Sequence, residues 1–297
     1  MIFNSVLETI GNTPLVRINR LNSNKEVKIF AKLEGQNPGG SVKDRIALQM
    51  VTEAELSGKL TQEKTILEAT SGNTGIGLAM VAAIKGYSIE LALPESVSIE
   101  RRKILKAFGA KVILTPESHG TDGAILKVKE LYEKFPEKYF VPDQYSNINN
   151  PLSHYYYTAN EIISETKGRI SFFVAGLGTS GTLMGMSHAL KSFDKRIQIV
   201  AAEPFLSHKI QGLKSLEEAI IPEIYNASKI DEFVKVSDSD AFETSRLLAK
   251  KEGIFAGMSS GAAMFVALKK ATEIKKGTIV VLLPDRGEKY LSTELFE

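Results

Sequence analysis

The stretch ISFFVAGLGTSGTLMGMSHALKSFDKRIQIVAAEP, residues 170–204, decides the fold class. An apolar β-branched run, ISFFVAG (170–176), passes through a glycine-rich turn into a helical pattern starting near Thr182 and then a second apolar run, IQIVAAEP (197–204). Neighbouring strands joined by a helix run parallel, and parallel strands read as continuously apolar because both faces are covered. Outward from this unit the same order repeats. Strand patterns fall at KIFAKLE (28–34), TILEAT (65–70), SIELALP (88–94), KVILTP (111–116) and TIVVLLP (278–284). Helical patterns begin near Ser41, Gly72, Ile99, Asp122, His154, Asp240 and Gly261. The reading is an α/β protein of doubly wound, mostly parallel sheets. The polar, Asn-rich segment DQYSNINNPLS (143–153) is the boundary between two α/β halves, residues 1–146 and 147–297.

Composition narrows the function classes. At 297 residues, with 43% hydrophobic and 24% charged side chains, the chain is long enough for two domains and has ordinary globular usage, which excludes disordered and collagen-like classes. Thirty-seven basic residues against 35 acidic ones leave a formal charge of +2, so nucleic acid is not an expected partner. The absence of cysteine removes disulfides, thiolate metal sites and thiol nucleophiles together. His119, His154, His188 and His208 make no metal-ligand pattern, and no metal is expected. The opening MIFNSVLETIGNTPLVRI has no basic leader, and apolar runs such as IVVLL (279–283) are too short to cross a bilayer. The expectation is a cytoplasmic protein without a membrane partner.

Four loops are of one kind: NPGGSVKDR (37–45), TSGNTG (70–75), GLGTSGT (176–182) and GMSSGAA (257–263) each combine glycine with Ser, Thr or Asn and run into a helix. Glycine lets the backbone approach a ligand, and the free N–H groups of a helix start favour an anion. One such loop is an ordinary cap. Four in the phase of strand-to-helix turns point to an anionic small molecule. Gly176, Gly178 and Gly181 also satisfy G-x-G-x-x-G, with Glu203 placed as a ribose-binding acid would be, so an NAD-binding oxidoreductase is the alternative. It leaves the other three loops unexplained.

Lys43, in the first turn of the helix after the glycine pair, begins near oriented N–H dipoles, which lower its pKa and ease access to the neutral, nucleophilic amine. The plain alternative is a surface lysine paired with Asp44 or Glu34. The run ERRK (100–103) reads as a solvated helix face, Asp285 and Arg286 as a structural pair, and Tyr155, Tyr156 and Tyr157 as helix-packing residues.

Together with IGNTPLVRI (10–18) and DRGEKYLST (285–293), the four loops occur in the order and near spacing of the cysteine synthase family, which the chain resembles from Ile10 to Thr293. PDRGEKYLST (284–293) and LKSLEEAIIPEIYNAS (213–228) are most similar to its B-type branch. The resemblance implies a fold type II enzyme, akin to the tryptophan synthase β subunit, with residues near 12–35 crossing to the second domain. It implies pyridoxal 5'-phosphate held by Lys43, which also moves the proton at Cα. Gly178, Thr179, Ser180, Gly181 and Thr182 would cradle the phosphate, Asn73 would face the ring 3'-oxygen and Ser259 the ring nitrogen. Thr70, Ser71, Gly72, Thr74 and Gln144 would bind the substrate carboxylate. The implied reaction replaces the acetyl group of O-acetyl-L-serine by sulfide to give L-cysteine, with O-phosphoserine sulfhydrylase and serine- and homocysteine-using cystathionine β-synthase activities as alternatives. A homodimer is implied; a complex with serine acetyltransferase stays open. The family segment H-Y-x-T-T-G-P-E-I stands here as HYYYTANEI (154–162), which bears on leaving-group choice. Lys214 falls where some O-phosphoserine-using relatives carry a basic residue.

Overall fold

The computed structural model describes residues 2–70, 72–217 and 220–297. In chain order the elements are β1 (Leu15–Ile18), β2 (Val27–Leu33), α1 (Lys43–Leu56), β3 (Thr65–Ala69), α2 (Asn73–Lys85), β4 (Ile89–Pro94) and α3 (Ile99–Ala107). There follow β5 (Lys111–Thr115), α4 (Gly120–Lys134), β6 (Tyr139–Phe140), α5 (Asn149–Ser153), α6 (Ala159–Thr166), β7 (Phe172–Gly176) and α7 (Gly181–Phe193). The last are β8 (Gln198–Pro204), β9 (Glu232–Val236), α8 (Asp238–Leu247), α9 (Met258–Glu273) and β10 (Gly277–Leu283).

Among the described residues the strands form a six-stranded sheet, β1-β2-β10-β7-β8-β9, and a four-stranded sheet, β5-β4-β3-β6. Every pairing is parallel except β1 with β2. The strand period of two is visible in β10. Ile279, Val281 and Leu283 enter one core with α8 and α9, while Val280 and Leu282 enter another with α6 and α7. In the smaller sheet Ile66, Leu91 and Leu93 pack with Ala47 and Val51 of α1 and Ile76 and Leu78 of α2, while Leu67 and Ala92 meet Ala124 and Val128 of α4. All seven strand patterns read from the sequence are present. The sequence reading passed over β1, β6 and β9.

The N-terminal strands sit in the larger sheet, with β2 beside β10 (Ile29 opposite Ile279, Leu33 opposite Leu283). The chain then leaves for the smaller layer through residues 37–42, so α1 begins at the junction between the two sheets, and Lys43 is its first residue. That crossing is stitched to the loop after β10, where the Val42 amide donates to the Pro284 carbonyl at 2.8 Å and Ser41 bridges Asp285.

A buried ionic cluster fixes the same junction. Glu34 accepts from Arg45 Nε at 2.7 Å, from the Thr13 hydroxyl at 2.7 Å and from the Asn37 amide at 2.8 Å, which ties the IGNTP and NPGG segments together. Arg45 also forks onto Glu161 of α6 at 2.7 and 2.8 Å, and Lys32 lies 3.0 Å from the same carboxylate. Burial alone raises the Glu161 carboxyl, but the hydrogen bonds from Arg45 and Lys32 outweigh it and bring it down to about 2 from an ordinary 4.5. A folded-state value below the unfolded one gives stability that is present above pH 4.5 and is lost as the pH falls toward 2. Glu161→Gln should therefore cost about 3 kcal/mol at neutral pH. In denaturant melts against pH, the gap from the native chain should close progressively below pH 4.5. A gap constant across that window would contradict the assignment.

Candidate active site

The loops at the carboxyl ends of β2, β3, β7 and β10, with the start of α9, converge on one cleft of about 920 Å³. Its lining includes Lys43, Asn73, Thr74, Gln144, Gly178, Thr179, Ser180, Thr182 and Ser259, so nine of the thirteen site residues read from the sequence share one cavity. Thr70, Gly72 and Gly181 stand behind that lining and shape it, and Ser71 lies outside the described residues. The Thr70 hydroxyl accepts from the Gly72 and Gly75 amides at 3.0 and 3.2 Å, which folds the loop. Thr74 donates to Gln144 Oε1 at 2.5 Å, and Gln144 Nε2 returns to the Ala69 carbonyl at 2.9 Å, joining the ends of β3 and the 143–145 turn.

The turn before α7 is built for an anion. Ser180 adopts φ 68°, a left-handed conformation that lets successive amides converge, and its buried hydroxyl oxygen has no hydrogen-bond partner among the described residues. Gly178 permits a close approach, since a Cβ there would lie 2.6 Å from the Gly212 carbonyl oxygen. At Gly181 a Cβ would collide with the Asn150 amide oxygen, and Asn150 in turn donates to Thr179 at 3.2 Å. The Thr182 hydroxyl is held by His154 Nε2 at 3.2 Å. Burial, with the nearby charges of Lys43 and Arg45, holds the His154 imidazole well below its ordinary value, so the ring is neutral at physiological pH. No cluster of metal-binding side chains occurs among the described residues.

Across the cleft, the Lys43 amine makes no hydrogen bond or ion pair with a described residue. The candidate partners are engaged elsewhere: Asp44 accepts from the Gly39 amide at 2.6 Å and Glu34 binds Arg45. Burial brings the Lys43 amine down from 10.5 to about 8, against the opposing charges of Asp285 and Glu34. Desolvation, rather than the helix dipole the sequence suggested, leads the shift.

Three further readings change. Arg101, expected on a solvated face, is 1% exposed. It donates to Tyr290 Oη at 2.6 Å and to Gln211 at 2.8 Å, stacks on the Tyr290 ring and lies 3.6 Å from Asp285. Asp285 does not pair with Arg286, which pairs with Glu288 instead; it accepts from Tyr290 and Asn73. Tyr156 and Tyr157 are half exposed on a π turn, His154–Thr158, between α5 and α6, while Tyr155 packs on His188. The cluster of Arg101, Asp285, Lys289 and Tyr290 behind Asn73 escaped sequence reading. DRGEKY was its one visible trace.

A family model described as pyridoxal-phosphate dependent enzyme matches residues 6–285. The chain is 49% identical to a cysteine synthase of Aquifex aeolicus, over 98% of this chain and 92% of that one. Its structure is similar to that of an O-ureido-L-serine synthase, with a TM-score of 0.94 and 42% identity over 100% of this chain and 96% of that one. It is equally close to a cysteine synthase of Entamoeba histolytica, at TM-score 0.94 and 41% identity over 100% and 91%. The chain belongs to the cysteine synthase family of pyridoxal-phosphate-dependent enzymes.

The NAD reading is thereby corrected. Its fingerprint turn lies in the chain of a pyridoxal-phosphate enzyme, and Glu203, the would-be ribose acid, is ion-paired with Lys235 at 3.3 Å. The residues present fit this family's cofactor: a partly buried amine with no partner among the described residues lines the same cleft as a helix-start anion cradle whose Ser180 hydroxyl likewise has none among them. The fold is the expected two-sheet α/β arrangement of fold type II.

Removing one partner from a buried charge network costs about 3 kcal/mol, whereas a change on a solvated face costs under about 0.5 kcal/mol. Arg101→Met should show the larger loss in chemical denaturation, and a loss within the smaller range would restore the solvated-face reading.

Proposed function

We propose that this enzyme is a cysteine synthase that replaces the acetyl group of O-acetyl-L-serine by sulfide, giving L-cysteine and acetate. The observation that carries the reading is the Lys43 amine, brought to about 8 and without a partner among the described residues, in the same cleft as the anion cradle before α7. The curated relatives named cysteine synthase support the same reaction.

Lys43 would hold the cofactor through its amine, Gly178 to Thr182 its phosphate, Asn73 the ring oxygen and Ser259 the ring nitrogen. When bound, the cofactor supplies an electron sink for the pair left at Cα. Ser259, which lines the cleft, would offer the ring nitrogen a hydroxyl rather than a carboxylate and so would not enforce its protonation. Lys43, with its lowered pKa, takes the Cα proton of the bound amino acid and later returns it. Thr70, Ser71, Gly72, Thr74 and Gln144 would bind the substrate carboxylate, and the Thr74–Gln144 hydrogen bond sets the spacing of that pocket. Closure of this side over the substrate would exclude water until sulfide adds at Cβ. The protein supplies no thiol of its own.

The acetyl ester is preferred to the phosphate on one observation. Lys214, at the cleft edge, is paired with Asp122 at 3.1 Å and lies over the Tyr145 ring, so its charge is already matched. Supplied with sulfide and O-acetylserine, O-phosphoserine or L-serine in turn, the enzyme should form cysteine fastest from O-acetylserine. A preference for O-phosphoserine, or product only from serine with homocysteine, would overturn the choice.

Two measurements address Lys43. Lys43→Ala should abolish turnover and the visible absorbance of the bound cofactor, and retention of either would refute its role. Because only the neutral amine is nucleophilic, cofactor uptake by the apoenzyme should speed up as the pH rises through about 8 and then level off. A midpoint at the ordinary lysine value of 10.5 would contradict the buried setting.

A further inference from the structure

Asn73 opens α2 and lines the cleft, and both ends of its amide are already held. Its Oδ1 accepts from the Lys289 ammonium at 3.0 Å, and its Nδ2 donates to Asp285 Oδ2 at 2.7 Å. An ammonium only donates and a carboxylate only accepts. A flipped amide would set Nδ2 against the ammonium and Oδ1 against the carboxylate, losing two charge-assisted hydrogen bonds at once. The amide therefore has one orientation. An amide nitrogen carries two hydrogens, so one donor remains for the cleft.

The two partners are themselves locked. Lys289 is 5% exposed, and its other two hydrogens reach the Gly39 and Gly40 carbonyls at 3.2 and 3.0 Å, which accounts for all three of its donors. Asp285 Oδ2 also accepts from Tyr290 Oη at 2.6 Å, and that hydroxyl accepts from Arg101 at 2.6 Å. The relay thus runs from α3 through the segment after β10 to the first residue of α2. It also touches the glycine pair beside Lys43.

We propose that Lys289 and Asp285 are positioning residues that fix the Asn73 amide as a donor to the cofactor ring oxygen and so hold that oxygen in its anionic form. The inference rests on the proposed assignment of Asn73 to the ring. A donor stabilises the deprotonated oxygen over the neutral hydroxyl, which favours the long-wavelength absorbance band of the bound cofactor over the short-wavelength one. An apolar residue at 289, or an amide at 285, removes one of the two contacts that orient Asn73 and so weakens the bias.

The test is the ratio of the two bands at fixed pH in reconstituted holoenzyme, together with cofactor affinity measured by adding pyridoxal phosphate to the apoenzyme. In Lys289→Met and Asp285→Asn the ratio of the long- to the short-wavelength band should fall by about tenfold, and the dissociation constant of the cofactor should rise by about tenfold. Lys289→Arg should restore part of both. Tyr290→Phe, which loosens Asp285 while keeping the ring, should give a smaller shift of the same sign, and it serves where the stronger variants fail to fold. An unchanged band ratio and affinity in folded variants, alongside a changed ratio in Asn73→Ala, would overturn the inference alone. Unchanged bands in Asn73→Ala would remove the ring assignment and the inference with it.

Discussion

Burial of one lysine amine at the junction of two sheets is the constraint on which the site depends. A partly buried amine without a hydrogen-bonding or ion-pair partner among the described residues is held largely by what surrounds it, and here the surroundings are loops at strand ends. Lys43 can occupy this position because the chain changes sheets in the six residues before it. Those residues are tied to Pro284 and Asp285 after β10 and, through Asn37, to Glu34 after β2. The larger sheet thus sets the lysine's position even though its helix packs on the smaller one.

The polar residues behind the cleft divide by role. Glu34, Arg45, Glu161 and Lys32 form a closed ionic cluster that fixes how the crossing segment meets α6, and they take no place in the cleft lining. Tyr290, Asp285 and Lys289 reach the cleft through Asn73, while Arg101, bonded to Tyr290, also lines it directly. His154 reaches it through Thr182, and its neutral ring keeps positive charge from accumulating beside Lys43. Among the described residues, the assigned positions that line the cleft present only hydroxyls, amides and one amine, and this suits an anionic ligand that must also release a proton.

How much of this could be read from the sequence follows from the range of each signal. Strands β2, β3, β4, β5, β7, β8 and β10 are runs of β-branched and apolar residues, so their pattern is local and was visible. Strand β9, EFVKV, alternates with charge in a partly exposed edge, and β6 is two residues long. The glycine loops were visible because an anion cradle needs particular residues at particular spacing. Arg101 was not, because ERRK has the composition of a solvated face and only the tertiary arrival of Tyr290 and Asp285 from the far end of the chain buries it. The pKa of Lys43 was read in the right direction from the wrong cause, since desolvation is a property of the packed cleft and not of the helix start.

The most direct measurement fixes the cofactor where it sits. Borohydride reduction of freshly purified enzyme, followed by proteolysis and mass spectrometry, should place the reduced pyridoxal-phosphate adduct on the peptide containing Lys43. An adduct on another lysine, or none in enzyme that turns over, would contradict the account.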